Sequence, residues 1–138
     1  MSPELTDLSL TESLALMRVG QLSSTELTQA CLQRIEKMNP DLHAFLTITP
    51  ELALQLAEAA DRTWAAWRKD NTTPLPPLLG LPLAVKDVLS VKGVRCTCGS
   101  LILEQFIPPY NATAVERLLA AGVVILGKTN IIIGGKIN

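Results

Sequence analysis

A single lysine stands where its charge needs a reason. Leu79-Gly80-Leu81-Pro82 leads into Leu83-Ala84-Val85, a short apolar run of strand type, and Lys86 follows it directly. An unpaired ammonium at the end of a buried strand is costly. Two remedies exist: Lys86 pairs with a carboxylate, or desolvation lowers its pKa until it serves as a neutral base. A neutral amine can take a proton from one hydroxyl, which takes one in turn from the next, and so activates a weak nucleophile. The bland alternative is an ion pair with the adjacent Asp87, or a strand cap, although adjacent strand residues point opposite ways.

The other reactive side chains offer less. Cys31, Cys96 and Cys98 are odd in number and suit a reducing cytosol. With His43 the only histidine and no second cysteine pair, Cys96-x-Cys98 falls short of a metal site, and the cysteines read as buried thiols. His43 lies in the turn before Ala44-Phe45-Leu46 and reads as a surface or satisfied turn residue; a Ser-His-Asp site has no other anchor. Trp64 and Trp67 are at helical spacing and read as core. Lys128 also follows an apolar run, and it reads as structural, with Thr129 and Asn130 supplying turn hydrogen bonds.

The elements that must position Lys86 are signalled by caps and periodicity. Ser9-x-x-Glu12 and Ser23-x-x-Glu26 predict helices over 9–19 and 24–38, the second ended by Asn39-Pro40. Leu10, Leu14 and Met17 line the first, and Leu27, Ala30, Cys31 and Ile35 the second. Thr49 with Pro50 at the first helical position predicts a helix over 50–69, buried along Leu52, Leu56, Ala59, Ala60, Trp64 and Trp67. Residues 1–69 thus form a helical portion, and the proline-rich stretch 70–79 is a connector. Beyond it, strands are expected over 82–86 and 123–127, with a helix over 113–121 capped by Thr113-x-x-Glu116 and stopped by Gly122. Val123-Val124-Ile125-Leu126 is the signature of a strand buried on both faces. The class is α/β, with helices packed on a sheet.

Composition sets the outer bounds. A chain of 138 residues that is 48% hydrophobic has the length of one domain and is no disordered tail. A net charge of −1 leaves no electrostatic footprint for nucleic acid. No apolar run approaches membrane-spanning length, and Met1-Ser2-Pro3-Glu4 predicts no secretory leader.

Leu79-Gly80-x-Pro82-x-x-x-Lys86-Asp87, Lys92-Gly93 and Thr97-x-Gly99-Ser100 together resemble the lysine-bearing block of the amidase signature family. More closely, they resemble the A subunits of glutamyl-tRNA(Gln) amidotransferases. Supporting residues run in order: Glu104-x-Phe106-x-Pro108-Pro109-Tyr110-x-Ala112-Thr113, Glu116-x-Leu118, Ala121-Gly122 and Gly127-Lys128-Thr129-Asn130. Ser23-Ser24-x-Glu26-Leu27 fits as well. The resemblance implies the N-terminal part of the amidase signature fold, truncated, with helices on a mixed sheet. It also implies amide hydrolysis by a serine nucleophile, a second serine in a cis peptide, and Lys86 as the base. Ammonia from glutamine would convert Glu-tRNA(Gln) to Gln-tRNA(Gln) in a cytoplasmic complex with subunits B and C. ATP and magnesium would be used by a partner subunit, with no cofactor or metal on this chain and no membrane contact. Val88 stands where the A subunits commonly have asparagine.

After Asn130 the resemblance implies an acidic Asp-Glu-Phe stretch and a Gly/Ser-rich region carrying both serines. Residues 131–138 read Ile-Ile-Ile-Gly-Gly-Lys-Ile-Asn instead, a divergent tail. Ser100 belongs to the Thr-x-Gly-Ser block and does not replace the nucleophile. The expectation is a frameshifted or truncated copy, inactive alone. A stand-alone small-amide hydrolase fragment and a non-catalytic remnant or interaction module are the alternatives. Such a piece is also expected to leave Val123–Leu126 partly uncovered, putting about 6–12 kcal/mol of burial at risk and inviting aggregation.

Overall fold

The computed structural model describes residues 4–133 and 136–137. Helices α1 (Leu10–Arg18) and α2 (Ser24–Leu42) precede strand β1 (Phe45–Ile48), helix α3 (Pro50–Lys69) and strand β2 (Pro82–Lys86). Helix α4 (Thr113–Ala120), strand β3 (Val124–Thr129) and two short strands, β4 (Ile132–Ile133) and β5 (Lys136–Ile137), complete the order. The sheet is ordered β1-β3-β2, with β1 antiparallel and β2 parallel to the central β3. It is a mixed sheet under helices, as the α/β reading requires. The irregular chain of 87–112, with one 3-10 turn at Leu101–Leu103, and α4 form the crossover that a parallel β2–β3 pair needs.

Both serine capping boxes form. Ser9 and Glu12 exchange hydrogen bonds at the start of α1, and Ser23 and Glu26 do so at the start of α2. Asp61 of α3 adds a second cap to α2, accepting from the Ser24 N–H at 2.6 Å and the Thr25 N–H at 3.0 Å. The two threonine signals hold only in part: Thr49 is the N-cap of α3 and Pro50 its first residue, but no side-chain capping bond forms. The Thr49 hydroxyl donates to the Ile125 carbonyl at 3.2 Å, so it ties α3 to β3 instead of capping its own helix. At α4 the N-cap is Ala112, and the Glu116 carboxylate accepts from the Asn111 amide at 2.9 Å.

Helix α2 does not end at Asn39-Pro40; it runs through Pro40 to Leu42. The proline sits in the last turn, where a lost N–H and a bend are tolerated. His43 closes the helix in the left-handed region, φ 51°, and its N–H donates to Asn39 O at 2.8 Å. The Asn39 amide then accepts from the Phe45 N–H at 2.7 Å and donates back to Phe45 O at 3.1 Å. That clamp starts β1, a strand absent from the sequence reading, and leaves His43 exposed as a turn residue.

The buried stripe of α3 is Ala53, Ala57, Ala60 and Trp64; Ala60 and Trp64 are buried as expected, Leu52, Leu56 and Trp67 are half-buried against the core, and Ala59 is exposed. Small side chains let the helix lie close on the sheet. Ala53 and Ala57 pack with Val124 and Leu126 on one face of β3, while Val123 and Ile125 pack with Val85, Val91, Val94 and Val115 on the other. The expected exposure of Val123–Leu126 is therefore wrong, since all four are at most 7% exposed. Helices α3 and α4 and the valines following β2 supply both covers from within this chain. Large exposed apolar residues lie elsewhere, with Leu101 at 87% and Ile102 at 94%.

Gly127 sits where the backbone of β1 approaches β3 closely, and a Cβ there would collide with Thr47 O. Gly127→Ala should lower stability by about 1–3 kcal/mol, the usual range for overpacking, measured by urea unfolding. A change within 0.5 kcal/mol would place the strands farther apart. Hydrogen bonds from Ser9 hold the Glu12 carboxyl below the ordinary glutamate range. A depressed folded pKa gives stability present above the unfolded value and lost as pH falls through the folded one. Acid titration by circular dichroism should show this contribution disappear below about pH 4.3 in the native chain and be absent in Glu12→Ala.

Candidate active site

Lys86 ends β2 opposite Thr129 of β3, and its side chain is exposed. The backbone around it is fixed. The Asp87 N–H donates to Thr129 O at 3.1 Å, and the Lys86 carbonyl accepts from the Leu89 N–H at 3.0 Å. Lys86 has neither a carboxylate partner nor a buried surrounding among the described residues. Both remedies considered from the sequence are thus absent, because β2 is an edge strand and this end of it is open.

Asp87 is buried and pairs with a different lysine. Its Oδ1 lies 3.3 Å from Lys128 Nζ, and both side chains are fully excluded from solvent. Strand parity explains the choice. In the parallel register Val85 is level with Lys128, so Lys128 shares a face with Val85 and with Asp87, two residues on. Lys86 points to the other face. Asp87 Oδ2 accepts from the Thr97 N–H at 3.1 Å and from the Thr97 hydroxyl. The Asp87 carbonyl accepts from the Cys98 N–H at 3.2 Å and from Cys96 Sγ at 3.2 Å. Lys128 is structural, as expected, but through this pair; the Asn130 amide does make the expected kind of contact, donating to His43 O at 3.2 Å.

Thr97-x-Gly99-Ser100 forms the tight turn that delivers those donors, with Ser100 N–H to Thr97 O at 2.9 Å. Arg95, Thr97, Gly99 and Ser100 border a shallow cavity of about 190 Å³. The Ser100 hydroxyl accepts from the Ile102 N–H at 3.3 Å, which makes it the cap of a 3-10 turn. Trp64 is core, donating from Nε1 to Leu79 O at 3.2 Å. Of the cysteines only Cys96 is buried; Cys31 and Cys98 are partly exposed. Among the described residues no three His, Cys, Asp or Glu side chains converge as metal ligands. No helix among them is long and apolar enough to cross a membrane.

A lysine and an aspartate thus leave one strand end toward opposite faces, the aspartate locked in an ion pair and the lysine without an ion-pair partner among the described residues. The amidase family model matches residues 26–135. The chain belongs to the amidase signature family. Two curated relatives are glutamyl-tRNA(Gln) amidotransferase A subunits of Dehalococcoides mccartyi and Geobacter metallireducens. Each is 48% identical over 127 residues, covering 92% of this chain and 25% of the relative. The chain therefore spans about a quarter of the length of these relatives. Among solved structures, the peptide amidase of Stenotrophomonas maltophilia superposes with a TM-score of 0.78 at 38% identity, over 91% of this chain and 25% of that one. A fatty acid amide hydrolase shares the fold, with a TM-score of 0.81 at 24% identity over 96% of this chain and 23% of that one. The family match runs to residue 135, past the Asn130 at which the sequence resemblance ends.

The buried pair has a measurable signature. Asp87→Ala or Lys128→Ala leaves one buried charge alone and should cost about 3–5 kcal/mol in urea unfolding. Asp87→Leu combined with Lys128→Met should recover much of that loss. Equal stability of wild type and the Lys128→Ala variant would show the pair to be solvated.

Proposed function

We propose that this chain carries the general base of a serine–serine–lysine amide-hydrolysing site of the A-subunit type, with Lys86 as that base. The observation that carries it is the free amine of Lys86 on a backbone held from both sides, beside an aspartate whose charge is already satisfied by Lys128. An amine paired with Asp87 would be kept protonated; this one is available for proton transfer once surrounding protein desolvates it. In the proposed step the neutral amine takes a proton from one serine hydroxyl, which takes the proton of the nucleophilic serine as that attacks the amide carbonyl. Glutamine is the amide, by the 48% identity to A subunits, and its ammonia serves Glu-tRNA(Gln) in a cytoplasmic complex with subunits B and C. ATP and magnesium act on a partner subunit in this scheme. The 38% identity to a peptide amidase supports C-terminally amidated peptides as a second substrate to assay.

No hydroxyl among the described residues hydrogen-bonds Lys86, and members of such a catalytic unit do not contribute independently. The 138-residue chain alone should release no ammonia from glutamine above background, and Lys86→Ala should change nothing. Residues 1–130 placed in exchange for the matching quarter of the Dehalococcoides mccartyi A subunit, with its B and C subunits, should release ammonia from glutamine. There Lys86→Ala should lose at least about a hundredfold in kcat, as expected for a general base. Lys86→Arg should not rescue it, since a guanidinium does not deprotonate. A Lys86→Ala chimera as active as its parent would sink the proposal.

A further inference from the structure

Cys96 and Cys98 flank the turn that holds Asp87, and their sulfurs lie 4.0 Å apart. Cys96 is buried at 2% exposure with Sγ on the Asp87 carbonyl, while Cys98 reaches solvent. What brings them together is strained backbone. Ser100 N–H closes the turn onto Thr97 O, and both central residues have positive φ: Cys98 at 51° and Gly99 at 68°. Glycine takes that conformation without penalty. A cysteine there is uncommon, and holding it strains the backbone. The strain is borne by a thiol set against a second thiol.

We propose that Cys96 and Cys98 are a peroxide-reactive dithiol, which closes to an intrachain disulfide across this turn. The proposal stands apart from the amidase reading. The oxidant is hydrogen peroxide or an organic hydroperoxide. The partly exposed Cys98, as thiolate, attacks the peroxide: an S–O bond forms, the O–O bond breaks, and the leaving oxygen takes up a proton. Sulfur is oxidised to the sulfenic acid and the peroxide is reduced to water or an alcohol. Cys96, as thiolate, then attacks Cys98 Sγ; the S–S bond forms, the S–O bond breaks, and hydroxide departs as water with a proton from solvent. The sulfurs must close by about 2 Å to reach a disulfide bond length. Rotation of the less enclosed Cys98 side chain can supply that movement. No buried acceptor is stranded by loss of the Cys96 S–H, because the Asp87 carbonyl keeps the Cys98 N–H.

Burial, Cys96 and the Asp87 carboxylate push the Cys98 thiol up, opposed by the Lys128 ammonium. The thiolate is the reactive form, so oxidation should be slow at neutral pH and accelerate as pH rises. Cys31, on the helical side and also raised by burial, provides an internal control. The surroundings separate the two cases: Cys98 has a thiol partner in contact.

The native chain is treated with hydrogen peroxide, alkylated, digested with trypsin and weighed as peptides. Cleavage at Arg95 and Arg117 leaves both cysteines in the peptide 96–117, and Cys31 falls in the peptide 19–34. Peptide 96–117 should lose two hydrogens and become closed to alkylation at both cysteines, while 19–34 stays alkylated. Dithiothreitol should restore both thiols. In Cys96→Ala, Cys98 should stall at the sulfenic acid and be captured by dimedone; in Cys98→Ser, the buried Cys96 should remain a free thiol. Sulfinic acid at Cys98 beside a free Cys96 in the wild-type chain would overturn the proposal. So would a cross-link to Cys31 or to a second chain, or an unchanged peptide 96–117.

Discussion

The ion pair between Asp87 and Lys128 is the constraint on which the sheet end depends. Two ions withdrawn from water lose several kcal/mol of hydration each, and only close pairing with further hydrogen bonds offsets that loss. Thr97 supplies the further bonds to Asp87 Oδ2, and β2 and β3 supply the strand ends that set the ions 3.3 Å apart. One carboxylate thus joins β2, β3 and the turn at 97–100. The irregular chain of 87–112 is long for a connection within a compact domain, and stretches of that kind carry function more often than structure. It is pinned at intervals by polar groups. The Arg95 guanidinium donates to Leu46 O and Glu104 O, and the Asn111 amide accepts from the Lys92 N–H at 2.7 Å.

The other end of β2 is fixed by the helical layer. The buried Ser24 hydroxyl donates to Gly80 O at 2.7 Å, and Trp64 Nε1 reaches Leu79 O. Gly80, at φ 83°, has Ser24 Cβ at 2.9 Å from where its own Cβ would be, so the glycine allows both the turn and the approach of α2. Helix α2 itself is held by the Asp61 carboxylate of α3, and α3 by its alanine stripe on β3. The lysine-bearing strand is therefore set at its start by α2 and α3 and at its end by the ion pair.

The legible parts of this fold were those written in local sequence. Ser9 and Ser23 each sit three residues before a glutamate, and that spacing alone specifies a reciprocal box. The Thr49 signal marked the helix start but not the bond, because a tertiary acceptor won: its hydroxyl faces Ile125 O, which no local pattern encodes. Strand β1 was hidden because Phe45–Ile48 is too short for periodicity, and its start is set by the Asn39 side chain across the helix end. At the site, Lys86 was legible as a position but not in its surroundings. Parity already set it apart from Asp87, but only the β2–β3 register leads to Lys128. That register is a long-range fact, since Val85 and Lys128 are far apart in the chain.

Holding the proposed base by its backbone has a chemical consequence. A lysine fixed through a carboxylate is well placed but protonated, because the partner that orients it also stabilises its charge. Here the two tasks fall to different atoms. Placement comes from main-chain bonds at Asp87 and Leu89 and from an aspartate whose charge Lys128 satisfies on the opposite face. The surroundings of the exposed Lys86 side chain are left to whatever packs over that face. The scaffold therefore fixes where the Lys86 amine stands, and what covers its face bears on whether it serves as the proposed base.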